Sequence, residues 1–384
     1  MSDGIIETVD LTYWYAGNDR PSLDKVNITI KKGVKTIILG GNGAGKSTLF
    51  YHFNGVFEPS SGKVSFDGEA VRHKRKALRA LRSKVSVVLQ NPDDQIFGQT
   101  VEEDVAYGPS NLGLSEEEVK RRVDHAISLV GLEGFRDRNT LKLSYGQRKR
   151  LALAGALAME PEVLVMDEPT AGLDPQMALE VMELAEQLHH RGTTVVISTH
   201  DVDLAYAWAD EIHVLRRGEL IYSGPSEDFY MDAMRVYTTG VMQPSMFVIN
   251  KSLCDMRGEP EAPFPRTETQ LVSKMASGPK GRFIVIPVRD RMTDSMIEAA
   301  QCRACGRVVV GLYGYVARGL LYESMLPVDY VFDGFESCMS ECLMGRDALL
   351  LCDEDCVDLI EQKIRRLQDF GTVVESLVLD RKNW

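Results

Sequence analysis

One octet constrains this chain more than any other feature: Gly40-Gly41-Asn42-Gly43-Ala44-Gly45-Lys46-Ser47. Its GxxxxGK[ST] spacing is that of a phosphate-binding loop, which functions only between a strand and a helix. Both flanks are present. Thr36-Ile37-Ile38-Leu39 is a short, apolar, β-branched run of the kind buried in a parallel sheet. Lys46-Ser47-Thr48-Leu49-Phe50 opens a helical stretch that ends near Gly55. The glycines let backbone N–H groups turn inward around phosphates at a helix N-terminus, where the dipole already favours an anion. Residues Gly40 to Thr48 are therefore expected to hold a nucleoside triphosphate. Lys46 would reach the β- and γ-phosphates, and the Ser47 hydroxyl would ligate Mg²⁺.

Other strand ends supply the remaining groups. Val163-Leu164-Val165-Met166 reads as a buried strand ending in Asp167-Glu168. Asp167 would hold Mg²⁺ through its water shell, and Glu168 would polarise the attacking water as general base. An Asp-Glu pair after a strand is more often a solvated turn, but the phosphate loop reverses that expectation. Thr194-Val195-Val196-Ile197-Ser198-Thr199 is a third strand, and it delivers His200 as a γ-phosphate sensor. A fourth, Val85 to Leu89, ends at Gln90, which would coordinate either Mg²⁺ or the attacking water. Open α/β sheets gather ligands at such carboxyl ends.

With these residues in hand, the chain resembles the nucleotide-binding domain of an ATP-binding-cassette (ABC) transporter over about residues 5–230. The order is the family's: aromatic ring, phosphate loop, Gln, signature segment, acidic strand, Gly-Leu-Asp loop, His. The resemblance implies a P-loop NTPase fold with a RecA-like core, an antiparallel β subdomain and a helical subdomain. It implies that Tyr15 stacks on adenine and that Asp174, in Ala171-Gly172-Leu173-Asp174, reaches across a dimer interface. The signature segment is Leu143-Ser144-Tyr145-Gly146-Gln147. Ser144, Gly146 and Gln147 would face the γ-phosphate of a second cassette, at the start of the helix Gln147 to Ala158. Here the chain departs from the family, which usually has glycine where Tyr145 stands; the ring either covers the site or turns outward. Gln90 to Phe97 and Thr100 to Pro109 look like the energy-coupling-factor branch, the cobalt-transport ATPase in particular. That likeness implies ATP and Mg²⁺ as cofactors and an ATP-sandwich dimer with a second copy or a paralogous ATPase. It also implies an integral membrane subunit that takes up cobalt, another divalent transition metal or a vitamin.

Composition agrees with this reading and narrows it. A chain of 384 residues is too long for one compact core, so two domains are expected. Without an apolar run of about 18 residues, any membrane span must come from other chains, and the opening Met1-Ser2-Asp3-Gly4 lacks a signal-peptide profile. The expected location is peripheral, on the cytoplasmic face of the membrane. A net charge of −12 speaks against a general nucleic-acid surface. A regulator, in which the C-terminal domain 282–384 senses a ligand and the cassette is its effector, is compatible with this reading, and a soluble cassette ATPase working on nucleic acid or ribosomes is the competing one. Residues 49–142 are short and lack sustained heptads, and a single phosphate loop is present, so the sequence argues against it.

The expected boundaries are 1–230 for the cassette, 231–281 for a linker and 282–384 for a second, small α/β domain. Pro260, Pro263 and Pro265 mark the linker. Strands are expected at Phe283 to Ile286, Val308 to Val310, Leu349 to Leu351 and Val373 to Leu379, with a helix from Cys356 to Phe370. A ligand edge would lie near Gly311 to Gly314 and Cys352-Asp353. All seven cysteines follow residue 253. Cys302-x-x-Cys305 could chelate a soft metal, whereas the plainer reading makes free cysteines small core hydrophobes in a reducing cytoplasm.

Overall fold

The computed structural model describes residues 4–289, 308–319 and 327–379. The chain divides into two compact units, Met1–Pro244 and Ser245–Trp384.

The first unit carries two sheets. Strands β1 (Gly4–Tyr13), β2 (Leu23–Lys31), β4 (Ser61–Phe66) and β5 (Glu69–Ala70) form an antiparallel sheet in the order β2-β1-β4-β5. The second sheet runs β10-β9-β3-β8-β7-β6. Its strands are β3 (Thr36–Leu39), β6 (Val85–Val88), β7 (Val163–Asp167), β8 (Thr194–Thr199), β9 (Glu211–Arg216) and β10 (Glu219–Pro225). Neighbours from β6 to β9 pair in parallel, and only β10 is antiparallel. β3, β7 and β8 are buried at every residue, as strands covered on both faces must be. One apolar cluster joins Ile6, Leu11 and Ile30 of the first sheet with Val163, Val165 and Val196 of the second. Leu49, Phe50 and Phe53, from the helix Lys46–Phe53, belong to the same cluster.

Between β6 and β7 lies the helical insertion, with helices Val101–Asn111, Glu116–Leu129 and Tyr145–Leu157. Ser115 caps the second of these, accepting the Glu118 N–H at 3.3 Å. The Glu118 carboxylate does not close a capping box; it turns to Arg121 and Arg122, each 2.7–2.8 Å away. Two arginines win over one backbone N–H for this partly exposed carboxylate. A full capping box is formed by Thr100 and Glu103 one helix earlier, and another opens the helix Tyr145–Leu157.

In the second unit, β11 (Arg282–Val288), β12 (Val309–Tyr313), β13 (Ala348–Asp353) and β14 (Glu375–Val378) form an all-parallel sheet, order β12-β13-β11-β14. Apolar clusters cover both faces, one with Phe335, Met339 and Ile360, the other with Ile284, Leu312 and Leu351. The helix expected from Cys356 is Val357–Arg366, continued by a 3₁₀ turn.

The stretch 231–281, expected as a linker, is largely helical: Ala233–Thr239, Ser245–Arg257 and Glu268–Met275. Its polar and proline-rich sequence hides specific packing. Phe247 stacks on Phe264 at 5.4 Å, Lys274 Nζ donates to Asn250 Oδ1 at 2.9 Å, and Thr372 Oγ1 donates to the Ser273 carbonyl at 2.9 Å. The last two helices thus belong to the second unit.

Candidate functional site

Three parallel strands bring the charged groups together. β3 runs into the glycine loop, and Gly45 (φ 106°) precedes the helix Lys46–Phe53. A Cβ at Gly45 would stand 2.7 Å from the Ser22 carbonyl oxygen, so only glycine fits this corner. Lys46 is buried, and its Nζ donates to the Gly40 carbonyl at 2.7 Å while standing 3.0 Å from Glu168 Oε1. His200, one residue past β8, places Nδ1 2.9 Å from Glu168 Oε2. Glu168 therefore sits between a lysine on one carboxylate oxygen and a histidine on the other. Tyr15 joins from the antiparallel side, its hydroxyl 3.2 Å from Thr48 Oγ1 and its ring edge-on to Tyr13.

Asp167 and Glu168 are held by a neighbour that the motif reading passed over. The Ser198 hydroxyl donates to Asp167 Oδ1, and Ser198 Oγ in turn accepts the Glu168 N–H at 3.0 Å. Serine at the end of a buried strand, level with an acidic strand end, is the signal that pointed to it. Glu168 has φ 46°, a left-handed conformation rare outside glycine. Lys149 is also part of this centre. It is 4% exposed, and its Nζ donates to the Glu168 carbonyl at 3.1 Å. Burial pushes its ammonium down to about 8, against the pull of Asp167 and Glu168.

Ser47, Asp167 and Gln90 offer a hydroxyl, a carboxylate and an amide, the hard oxygen donors that Mg²⁺ prefers. Asp167 is buried with one oxygen engaged by Ser198, as expected of an oriented ligand, while Ser47 is half-buried and Gln90 exposed. Behind Gln90, Gln95 fixes the loop, accepting the Leu89 N–H at 3.0 Å and donating to the Ala152 carbonyl at 3.4 Å.

The signature segment and the Gly-Leu-Asp loop form a second group. Ser144 caps the helix Tyr145–Leu157, in a capping box with Gln147. Gly146 is close-packed, since a Cβ there would meet Met177 at 2.3 Å. Tyr145 lies against the loop: a Cβ on Gly172 would come 3.0 Å from its ring, while Arg148 stands 5.9 Å from the ring centre on the helix. Asp174 caps the helix Pro175–His190, accepting the Met177 N–H at 2.9 Å. Beside this group a groove of about 490 Å³ is lined by Asp93, Ile96, Phe97, Leu141 and Arg148 among others. Leu141 is 88% and Phe97 61% exposed, and Phe97 carries Tyr107 edge-on at 4.3 Å.

The second unit does not contribute a comparable centre among the described residues. Its sheet edge near Gly314 is filled by Asp353, which accepts the Ala317 and Val316 N–H groups at 2.8 and 3.2 Å. Cys254, Cys338, Cys342, Cys352 and Cys356 are buried and free of disulfides. Burial pushes the Cys342 thiol up to about 12 and those of Cys338 and Cys352 higher, as befits core hydrophobes. Cys302 and Cys305, the candidate chelating pair, lie outside the described residues. No helix among the described residues is long and apolar enough to cross a membrane.

Comparison with known proteins gives the same picture. The family profile described as "ABC transporter" matches residues 23–171. The energy-coupling factor transporter ATP-binding protein EcfA of Methanococcus maripaludis is 46% identical over 240 residues, 62% of this chain and 86% of the relative. EcfA2 of Methanospirillum hungatei is 35% identical over 370 residues, 94% of this chain and 92% of the relative, an overlap that takes in the second unit. Among solved structures, cbiO1 of Clostridium perfringens, part of the ABC transporter complex cbiONQ, is 41% identical with a TM-score of 0.55, over 62% of this chain and 94% of that one. The dimeric cassette MJ0796, in a post-hydrolysis state bound to ADP and Pi, is 28% identical with a TM-score of 0.53, over 58% and 98%.

Proposed function

The chain belongs to the ABC transporter family, as an ATPase of the energy-coupling-factor branch, and from that premise we propose which residues do the work and what the motor moves. ATPases of this branch bind ATP, pair as cassettes and act with membrane subunits. In our reading Lys46 and the loop N–H groups bind the β- and γ-phosphates, and Tyr15 stacks on adenine. Glu168 takes the proton of the attacking water, and His200 orients that carboxylate while sensing the γ-phosphate. Mg²⁺, held by Ser47, Asp167 and Gln90, would supply charge neutralisation on the phosphate oxygens. Ser144, Gly146 and Gln147 close over the nucleotide of the second cassette, and Asp174 touches its site.

The observation that carries this reading is the buried Glu168, with the buried Lys46 on one carboxylate oxygen and the exposed His200 on the other, at the ends of three adjacent parallel strands. An ion pair buried at that edge has no structural task comparable to its cost. The groove with exposed Leu141 and Phe97 is our docking site for a helix of the membrane subunit, since apolar side chains so exposed need a cover. We assign the cargo as a divalent transition metal, cobalt before nickel. The support is the likeness of residues 90–97 and 100–109 to the cobalt-transport ATPase, together with 41% identity to a cbiONQ subunit. Reconstitution with its membrane subunits should give ATP-dependent cobalt uptake that Glu168→Gln abolishes. Vitamin uptake without metal uptake would remove the cargo assignment and leave the motor intact.

A further inference from the structure

Three basic residues follow the signature segment: Arg148, Lys149 and Arg150. The outer two behave as surface residues do. Arg148 Nε pairs with Asp93 at 2.7 Å, and Arg150 pairs with Glu180 at 2.7 Å. Lys149 instead turns inward, buried, with its ammonium on a backbone carbonyl rather than a carboxylate. A charge taken out of water needs a strong reason to stay there.

The carbonyl it meets is that of Glu168. That residue's left-handed backbone must be over-determined by its surroundings to persist. On its N-terminal side the Glu168 N–H is shared by the Ser198 hydroxyl at 3.0 Å and the Ser198 carbonyl at 3.1 Å. On its C-terminal side the carbonyl accepts the Ala171 N–H at 3.1 Å, which closes the turn into the Gly-Leu-Asp loop. Lys149 takes the second lone pair of that carbonyl.

We propose that Lys149 is a positioning residue for hydrolysis, holding the Glu168 peptide in the conformation that aims its carboxylate between Lys46 and His200. The lysine does not touch nucleotide; it acts through the peptide it grips. Because it rises from the helix that Ser144 opens, the signature helix of a protomer is tied by this bond to that protomer's own general base.

The inference rests on the two-cassette reading above, so its test separates the two. Lys149→Met keeps length and suits a buried site but donates no hydrogen bond. It should lower kcat by about 100-fold, the effect of a reacting group displaced by an ångström or so, and leave KM for ATP unchanged. Lys149→Arg, which restores a donor, should recover most of the loss. Mixed dimers, isolated through two different tags, give the finer readout. With Glu168→Gln in one protomer, only the site on the other protomer's loop turns over. Lys149→Met on the protomer that keeps Glu168 should give about 100-fold slower turnover than Lys149→Met on the Glu168→Gln protomer. Equal rates would make the lysine a packing residue of its helix, and the reverse order would make it act on the neighbour's nucleotide; either overturns the proposal. ATP-dependent dimerisation of the Glu168→Gln protein, read by size exclusion, checks the two-cassette reading by itself. If no dimer forms, that reading falls, and the Met loss with Arg recovery still decides for or against the lysine.

Discussion

Glu168 is where several separate local forces meet, and its substitution is the most direct check on the site. Glu168→Gln keeps the shape between Lys46 and His200 but cannot accept the water's proton. It should bind ATP and lose turnover by roughly 10²–10⁴-fold, the contribution of a placed general base; near-normal hydrolysis in a steady-state assay would sink the assignment. Lys46→Ala should act differently, weakening ATP binding itself, as a nucleotide titration will show. A second residue-scale prediction concerns acid stability. His213 lies wholly inside β9, with Nδ1 2.9 Å from Ser223 Oγ, and burial, helped by the charge of Lys31, lowers its pKa to about 4. An unfolded histidine titrates near 6.5, so the unfolded chain takes up the proton first. Stability present above pH 6.5 should fall as pH drops towards 4, by up to about 3 kcal/mol. His52, lowered by burial as well, adds in the same direction. Urea unfolding at pH 7.5 and 5 should show the drop, and His213→Gln should shrink it; an unchanged drop would place its source elsewhere. Legibility at this scale follows from who the partner is. That Lys46, Asp167, Glu168 and His200 come together was readable, because each stands at or just beyond the end of a legible strand of one sheet. Lys149 was not, because its partner is a backbone carbonyl 19 residues away and its neighbours make it look like part of a solvated basic run.

At the scale of elements, buried strands were the clearest text in the chain. β3, β7 and β8 are short runs buried at every position, and they lead into the glycine loop, the Asp167-Glu168 pair and His200. Helix ends were read less completely. Ser115 caps its helix, but Glu118, three residues on, turns to Arg121 and Arg122 instead of back to the Ser115 N–H. Tyr145 could not be oriented from sequence, because what it covers, Gly172, lies 27 residues further along a different element. It turns onto the loop, which settles its side of the helix. The second unit offers an element-scale test of close approach. Gly314 follows β12 with φ 98°, and a Cβ there would sit 2.2 Å from the Asp353 carboxyl carbon. That carboxylate is itself fixed by the N–H groups of Val316 and Ala317, so it cannot step aside cheaply. Gly314→Ala should destabilise the second unit by roughly 2–4 kcal/mol through backbone strain and overpacking. Thermal unfolding should show that unit melting earlier, and an unshifted melt would mean that Asp353 relaxes more freely than its bonds imply.

For the molecule as a whole, the question is what the second unit is for. The strand and helix around the phosphate loop were legible from the motif, and the antiparallel sheet and helical insertion from the resemblance to the family. The domain boundary was not. The stretch 231–281 looks like a linker because its helices are short, polar and broken by prolines, and their burial comes from contacts such as Thr269 with Glu336 and Ser273 with Thr372 that no local window contains. Its consequence can be tested by where the chain is cut. Every residue assigned to ATP lies before Pro244, inside a unit with its own core, so residues 1–244 should fold and hydrolyse ATP alone. A fragment ending at 281 should do worse, since it keeps the helices Ser245–Arg257 and Glu268–Met275 but strips them of the sheet unit they pack on. If regulation is the second unit's task, cobalt should change the ATPase rate of the full chain and leave residues 1–244 indifferent. If assembly is its task, the fragment should respond as the full chain does and lose dimerisation at low ATP. ATP hydrolysis read across a metal titration, with sedimentation alongside, separates the two. A fragment 1–244 that binds ATP but cannot turn it over would show instead that the second unit takes part in the chemistry, and the division of labour argued from the two cores would fall.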